Sequence, residues 1–160
     1  MVKVGIIGCG KIAQVRHIPE YLDNPNAKLT GLYDLNLQRA KELAEKYDCK
    51  SYESVEEMLA DPEIDAVSVC VANHVHAEIT IAALKAGKHV LCEKPMATTL
   101  KDCQMMVDTA EQMGKKLMIG QNQRFEKLMQ KQKKSSSVEI SEAFLLLKHH
   151  SDMVARKHGV

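Results

Sequence analysis

The chain has 160 residues, a length that suits about one domain and can bury a core without disulfides or metals. Apolar residues make up 45% and charged residues 27%, which is ordinary for a soluble globular protein. The formal net charge of +1 argues against a nucleic-acid surface, and no apolar run reaches the length of a membrane span. The sequence opens directly into a strand and turn, so we expect no signal peptide, no membrane or nucleic-acid partner, and a cytoplasmic location.

Five cysteines are spread along the chain: Cys9, Cys49, Cys70, Cys92 and Cys103. Their number is odd and no two form a Cys-x-x-Cys pair, which argues against a disulfide framework or a zinc site. Cys70 and Cys92 fall within apolar runs, where a free thiol behaves as a small hydrophobic side chain. We therefore expect reduced, structural cysteines and no bound metal.

Short apolar runs alternate with helix-period segments over the first 120 residues, the pattern of a parallel sheet with crossover helices. The predicted strands are Val2–Ile7, Leu29–Tyr33, about Lys50–Tyr52, Ala66–Val71, His89–Cys92 and Leu117–Gly120. The predicted helices are Lys11–Leu22, Leu35–Tyr47, a segment opened by a capping box at Ser54–Glu57, a segment around Ile79–Ala86, and Thr99–Met113. Pro19 is expected to end or kink the first helix. Together these segments predict an α/β fold with a doubly wound, six-stranded parallel Rossmann sheet.

A glycine-rich turn, Gly8-Cys-Gly-Lys-Ile-Ala13, joins the first predicted strand to the first helix. In this context Gly8 permits a tight turn, Gly10 lets the backbone approach a pyrophosphate, and the small Ala13 lets helix and strand pack closely. The free N–H groups at the helix start, around Lys11 and Ile12, would receive the negative charge. The alternative is a strand-turn-helix connection that binds no ligand.

Asp34 ends the second predicted strand and supports the dinucleotide interpretation of the turn. A carboxylate there accepts hydrogen bonds from ribose hydroxyls and repels a 2′-phosphate, which favours NAD over NADP. Arg39 lies about one helical turn further on and would soften that preference. Asp34 would serve equally as the N-cap of the Leu35–Tyr47 helix, and both roles can coexist.

The triplet Glu93-Lys94-Pro95 leaves the fifth predicted strand and carries the strongest candidate for chemistry. A lysine in water has a pKa near 10.4 and is a poor base at neutral pH. Desolvation and a neighbouring cationic nicotinamide would both disfavour the ammonium form, so Lys94 would take the proton of a substrate hydroxyl as hydride leaves the same carbon. The alternative is an ordinary surface lysine at a strand end.

A polar segment, Ala72-Asn-His-Val-His76, follows the fourth predicted strand. The two histidines at positions 74 and 76 are spaced as on a strand, and no third ligand cluster accompanies them, so a metal role is not favoured. We expect Ala72, Asn73 and His76 to line a cofactor cleft, because sheets of this kind bind ligands at the carboxyl ends of their strands.

Five segments occur in one order and spacing over residues 1 to about 125: Gly8-x-Gly10-x-x-Ala13, Tyr33-Asp34 with Arg39-Ala40, Asn73-x-x-His76-x-Glu78, Gly87-Lys-His-Val-Leu-Cys-Glu-Lys-Pro95 and Gln121-Asn-Gln-Arg-Phe125. Through them the chain resembles the N-terminal domain of the glucose-fructose oxidoreductase / inositol dehydrogenase (Gfo/Idh/MocA) family. The resemblance implies a Rossmann domain for NAD or NADP and hydride transfer at a sugar or polyol carbon. It also implies that Lys94 is the active-site lysine, with Glu93 beside it, and that Asn122 and Arg124 lie near the cofactor cleft.

The chain departs from the family pattern mainly after residue 125. We predict two parts: residues 1–125 as the NAD(P)-binding domain, and residues 126–160 as a linker helix and the first strand, about Ala143–Lys148, of an otherwise absent substrate domain. A smaller departure is Val71-Ala72-Asn73, where the family has a Thr-Pro-Asn-like turn.

The sequence leaves three functions open. The first is an oxidoreductase represented mainly by its nucleotide-binding domain, weakly active or inactive alone because one wall of the substrate cleft is missing. The second is a non-catalytic NAD sensor or regulatory module that acts through a protein partner. Its interface, or that of a homo-oligomer, would be the unpaired strand containing Leu145–Leu147. The third is a decayed or shortened chain with no selected function.

Overall fold

The computed structural model describes residues 1–122, which contain six parallel strands and five α-helices. The strands are β1 (Val2–Ile7), β2 (Ala27–Tyr33), β3 (Lys50–Ser51), β4 (Ala66–Val69), β5 (His89–Cys92) and β6 (Leu117–Ile119). The α-helices are α1 (Ile18–Asp23), α2 (Leu37–Tyr47), α3 (Val55–Ala60), α4 (His76–Lys85) and α5 (Leu100–Gln112). Residues Met1–Gly120 form one compact unit. The predictions for residues 123–160, including the linker helix and the Ala143–Lys148 strand, lie outside the described residues.

The strands are ordered β3-β2-β1-β4-β5-β6, and every neighbouring pair is parallel. The chain therefore winds outwards from β1 in one direction and then from β4 in the other, which is the order of a doubly wound dinucleotide-binding sheet. This confirms the predicted fold class. The order reverses between β1 and β4, the position at which sheets of this kind form a ligand-binding crevice at the carboxyl ends of their strands.

Both faces of the sheet are buried, because helices pack against each of them. Successive residues of a strand point to opposite faces and so enter different clusters. Ile6 and Ile7 are both fully buried, but Ile6 packs with Ile18 and Leu43 while Ile7 packs with Met58 and Leu84. Helices α1 and α2 thus cover one face, and helices α3, α4 and α5 cover the other. The near-continuous apolar character of the strands follows from this two-sided burial.

The first helix matches the predicted Lys11–Leu22 to within one residue and does not end at Pro19. Residues 11–23 are helical throughout, with a π-helical turn over Ala13–His17 that leads into α1. The backbone N–H of Ile18 donates to the carbonyl oxygen of Ala13, five residues earlier. Pro19 then falls in the first turn of α1, where a missing N–H is tolerated.

Local capping signals fix two other helices. Ser54 caps α3 as predicted, because its Oγ accepts from the N–H of Glu57 at 3.0 Å. The Glu57 carboxylate accepts at 2.8 Å from the N–H of Glu53, the residue before the cap, where a capping box would use the N–H of Ser54. Asn36, rather than Asp34, caps α2 by accepting from the N–H of Arg39 at 3.1 Å. That helix starts at Leu37, two residues later than predicted.

All five cysteines lie within the described residues and are free thiols. Cys9, Cys70 and Cys92 are buried, and burial raises the pKa of Cys9 to about 12 and that of Cys92 to about 11. In residues 1–122 no group of three or more His, Cys, Asp or Glu side chains is placed to hold a metal ion. No helix in that part of the chain combines the length and apolar character that crossing a membrane requires.

Candidate functional site

The candidate site lies at the carboxyl ends of the strands, around the point where the strand order reverses. Four connections meet this edge: the glycine-rich turn after β1, Asp34 after β2, the Val71–Asn73 loop after β4 and the Glu93–Pro95 turn after β5. Parallel strands place these connections side by side, so residues far apart in sequence face one crevice.

The two glycines of the turn have different surroundings. Gly8 has φ of +95°, and a Cβ added there would lie 2.6 Å from the carbonyl oxygen of Cys70, so only glycine fits. A Cβ added at Gly10 would meet no atom within 4 Å. The backbone at Gly10 is thus open to a ligand. Because the first N–H groups of a helix have no intrahelical partners, those that follow Gly10 suit a pyrophosphate. Lys11 and Ile12, at this helix start, are exposed.

Asp34 is buried and supports the glycine-rich turn instead of capping α2. One carboxylate oxygen accepts from the N–H of Cys9 at 2.7 Å, and the other accepts from the N–H of Asn36 at 2.8 Å. Arg39 Nη1 lies 3.4 Å from both oxygens. The N-cap interpretation of Asp34 is wrong, because Asn36 is closer to the first helical turn and its side chain takes the N–H that a cap must satisfy. Asp34 therefore connects the turn to the end of β2.

His76 is buried and joins two of the connections. Its Nδ1 lies 2.7 Å from the carbonyl oxygen of Pro95, and its Nε2 lies 3.1 Å from the carbonyl oxygen of Val71. Both ring nitrogens are thus occupied by backbone groups at the rim of the crevice. By contrast, Ala72 and Asn73 are exposed at the start of a 3₁₀ turn, Asn73–Val75, that precedes α4.

Lys94 is exposed and follows β5 directly through Glu93. Within residues 1–122 its amine has neither a hydrogen bond nor an ion pair, while its backbone N–H donates to Glu93 Oε2 at 3.1 Å. The desolvation expected for this amine is therefore not supplied by the described residues. Asn122 is also exposed, and Arg124 lies outside the described part of the chain, so the placement of both near the cleft stays a prediction.

A buried polar network behind Glu93 was not predicted from the sequence. His17 Nε2 lies 2.9 Å from Glu93 Oε1, His17 Nδ1 lies 3.3 Å from Ser68 Oγ, and Ser68 Oγ lies 2.6 Å from the hydroxyl of Tyr21. Burial raises the pKa of Tyr21 to about 12. The available signal was the presence of a serine in the apolar strand β4 and a histidine within the first helix, since inward-facing polar residues require partners.

The strand order, the open turn at Gly10 and the carboxylate after β2 together define a nicotinamide-dinucleotide-binding domain of the Rossmann class. The model of the family described as "Oxidoreductase family, NAD-binding Rossmann fold" (GFO_IDH_MocA) matches residues 2–121. The chain therefore belongs to the Gfo/Idh/MocA oxidoreductase family, as the resemblance indicated.

Known proteins similar to this chain include sugar and polyol dehydrogenases. Glucose-6-phosphate 3-dehydrogenase of Bacillus subtilis is 40% identical over 125 residues, which are 78% of this chain and 35% of the relative. Myo-inositol 2-dehydrogenase of Thermotoga maritima is 34% identical and covers 83% of this chain and 40% of the relative. A crystal structure of a 3-ketoreductase from Actinomadura kijaniata, solved with NADP and TDP-benzene, has a TM-score of 0.72 and 34% identity over 74% of this chain and 37% of its own.

The matched region is a minor part of each relative. The chain spans about 35–40% of the length of the two curated relatives. Shared residues therefore concern the nucleotide-binding part of these proteins.

Proposed function

We propose that this chain binds a nicotinamide dinucleotide, with NAD preferred, and contributes that site to an oxidoreductase acting on a sugar or polyol carbon. The observation that carries the proposal is the open backbone at Gly10, beside a turn that Asp34 holds in place through the N–H of Cys9. A strand-turn-helix connection that binds no ligand would need neither the open space at Gly10 nor the buried carboxylate of Asp34. The names of the relatives support the substrate class.

Cofactor choice is proposed from the surroundings of Asp34. A carboxylate has about four lone-pair positions, and two are used by the N–H groups of Cys9 and Asn36. Arg39 Nη1 donates to both oxygens over a long 3.4 Å, and we expect the hydroxyls of a ribose to replace these long contacts. A 2′-phosphate would bring further negative charge to this carboxylate, and Arg39 would offset only part of the repulsion. We therefore expect NADH to bind more tightly than NADPH.

The remaining predicted residues would act on the other half of the cofactor. Ala72, Asn73 and Lys94 lie after β4 and β5, on the opposite side of the crevice from Asp34. His76 would contribute indirectly, by fixing the loops that carry Asn73 and Lys94. The bound nicotinamide supplies the hydride chemistry. Lys94 would take the proton of the substrate hydroxyl and return it in the reverse direction.

Turnover by residues 1–122 alone is expected to be weak. Lys94 is exposed, so water surrounds the amine and nothing in the described chain encloses a substrate beside it. Fast hydride transfer needs a substrate held close to attack geometry in a site that excludes water. Residues outside the described range, or a second protein, would have to complete the cleft.

The proposal is tested by titrating the purified 160-residue chain with NADH and NADPH and following nucleotide fluorescence. Saturable NADH binding with weaker NADPH binding is expected. The matched variant is Gly10→Ala, whose methyl group would occupy the open space without meeting a protein atom within 4 Å. It should fold normally and lose roughly tenfold or more in affinity, because the phosphates can no longer approach the backbone.

Two results would contradict the proposal. One is the absence of binding by either nucleotide to the folded, unaltered chain. The other is equal binding by the unaltered chain and the Gly10→Ala variant. A parallel assay of NADH formation with glucose 6-phosphate and with myo-inositol tests the expected weak turnover. Rapid turnover of either would show that the chain encloses its substrate without help.

A further inference from the structure

Hydrogen bonds link the residues of the buried network behind Glu93 in one continuous series. An ionised carboxylate only accepts, so against ionised Glu93 the neighbouring Nε2 of His17 donates to Glu93 Oε1 over 2.9 Å. In the neutral ring Nδ1 is then an acceptor, and it receives the hydroxyl hydrogen of Ser68 over 3.3 Å. The Ser68 oxygen in turn accepts the hydroxyl hydrogen of Tyr21 over 2.6 Å. Each residue of this network therefore has a hydrogen-bond partner.

The network is enclosed by the protein on its inner side. His17 is 6% exposed and Ser68 is 0% exposed, while the Glu93 side chain reaches the crevice and is 16% exposed. Hydrogen bonds are stronger in such surroundings than in water, and an unpaired group there is costly. The network therefore fixes the orientation of its members in a way that a surface pair would not.

The network begins on a helix and ends at the predicted active-site lysine. His17 is the last residue of the π-helical turn Ala13–His17, a rare local geometry that occurs frequently at functional sites. At the other end, Glu93 Oε2 accepts the backbone N–H of Lys94 at 3.1 Å. Gly120, after β6, lies so close that an added Cβ would be 3.3 Å from Glu93 Oε1. The carboxylate is thus held from three sides.

The position of Glu93 indicates which half of the cofactor the buried network would affect. Asp34 follows β2 on one side of the crevice and suits the adenosine ribose, whereas Glu93 follows β5 on the other side. The second mononucleotide half of such a sheet receives the nicotinamide end of the cofactor. Orientation of Glu93 and of the turn at Lys94 should therefore affect the nicotinamide end and leave the adenosine end unchanged.

We propose that His17, supported by Ser68 and Tyr21, is a positioning residue that orients Glu93 and the Lys94 turn toward the nicotinamide half of the bound dinucleotide. The inference rests on the proposed dinucleotide binding. It adds three residues that do not touch the cofactor but act on its reactive end. A purely structural role would instead stabilise the whole domain and affect both halves of the cofactor equally.

The test compares NADH with ADP-ribose, which has the adenosine and pyrophosphate parts but no nicotinamide. In His17→Leu, which cannot donate to Glu93, NADH affinity should fall roughly fivefold or more while ADP-ribose affinity changes less than about twofold. In His17→Gln, whose amide N–H can still donate to Glu93, most of the NADH affinity should return. Circular dichroism and thermal unfolding establish that each variant is folded before it is titrated.

A milder variant keeps the inference testable if changes at His17 prevent folding. Tyr21→Phe removes only the hydroxyl that donates to Ser68, and a loss of NADH affinity of about twofold, with ADP-ribose binding unchanged, is expected. Nitrogen-15 NMR of the histidine rings gives an independent measurement on the unaltered chain. His17 should carry a proton on Nε2, the atom that lies 2.9 Å from Glu93 Oε1, and an Nε2 without a proton would overturn the proposal.

The outcomes separate this inference from the proposed function. If the unaltered chain binds neither compound, the proposed function fails and the inference fails with it. If it binds NADH and ADP-ribose equally well, dinucleotide binding stands but the positioning role is refuted. Equal losses of both affinities in His17→Leu, or no loss of either, would likewise refute the positioning role alone.

Discussion

The two ends of the sheet use charged residues differently. At the amino ends of the strands, charges are paired with each other: Lys3 Nζ lies 2.6 Å from Glu63, and Lys50 Nζ lies 2.9 Å from Asp61. At the carboxyl ends, the exposed amine of Lys94 has no partner within residues 1–122, and the ion pair between Asp34 and Arg39 is long, at 3.4 Å. Charges that satisfy each other stabilise the fold, whereas charges left without full partners are available to a ligand.

Lys88 is a charged residue near the amino ends of the strands whose contacts are structural. Its side chain is buried, and its amine donates to the backbone carbonyl oxygens of Asp61 at 2.7 Å and Ile64 at 2.8 Å. Burial lowers the pKa of this amine. Lys88 and Lys94 lie six positions apart on either side of β5, yet only Lys94 is exposed at the crevice. Within one short sequence segment, the sheet separates a structural lysine from a candidate catalytic one.

The largest expected effect concerns Gly8, where the fold and the site depend on the same atom positions. Gly8→Ala places a methyl group 2.6 Å from the carbonyl oxygen of Cys70 and requires φ of +95° from a residue with a side chain. The free energy of unfolding should fall by about 3 kcal/mol, and dinucleotide binding should be lost as well. Urea unfolding followed by circular dichroism measures the first effect, and NADH titration measures the second.

Gly10→Ala is the control that sharpens the contrast between the two glycines. It should change the free energy of unfolding by less than about 1 kcal/mol, because its methyl group meets no protein atom within 4 Å. Equal destabilisation by the two substitutions would mean that Gly10 also serves packing. The assignment of its open space to a ligand would then lose its support.

Replacement of Lys88 tests the amino end in the same way. Lys88→Met keeps the length of the side chain but leaves two carbonyl oxygens, those of Asp61 and Ile64, without their donor. We expect a loss of about 2 kcal/mol in the free energy of unfolding and an unchanged affinity for NADH. Lys85→Met, on the exposed surface of α4, is the matched control and should have little effect. Weaker NADH binding by a folded Lys88→Met variant would contradict the assignment of the amino ends of the strands to stability and of the carboxyl ends to ligand binding.

The fold could be predicted from sequence because its strands are buried on both faces. Short apolar runs such as residues 4–7 suit a strand that is covered on both faces, and the glycine turn at Gly8 marks where this strand ends. The course of the first helix was harder to predict from the sequence. Pro19 signals a break when the helix is assumed to be regular, but a π-helical turn shifts the hydrogen-bond pattern and places the proline where its missing N–H is tolerated.

The candidate site could be predicted only as far as it follows local motifs. The glycine turn and Asp34 are each recognisable beside a strand end, and the structure brings them together through the N–H of Cys9. The contact between His17 and Glu93 joins residues 76 positions apart and depends on the packing that brings the first helix to Ser68 in β4 and to Glu93 after β5. No local pattern encodes such a contact, so the network had to be found in the structure.

The smallest expected effect is a pH dependence of the free energy of unfolding, and it arises from Asp61 at the amino ends of the strands. Hydrogen bonds from the Lys50 amine, the N–H of Glu63 and the Tyr52 hydroxyl hold the pKa of Asp61 at about 2, below its ordinary value of 3.8. The folded state therefore binds this proton less readily than the unfolded state does, and ionised Asp61 stabilises the fold. This contribution is complete above about pH 4 and is lost as the pH falls through about 2.

Asp61→Asn should accordingly reduce the free energy of unfolding at neutral pH, and the difference from the unaltered chain should shrink as the pH falls from 4 to 2. Urea unfolding at several pH values in this range measures it. Because Asp61 lies at the end of the sheet opposite the crevice, NADH affinity at neutral pH should be the same for both proteins. A difference in stability that stays constant down to pH 2 would show that the Asp61 carboxylate acts through its shape rather than its charge. A change in NADH affinity would mean that the two ends of the sheet are coupled, and their division into a structural and a ligand-binding end would no longer hold.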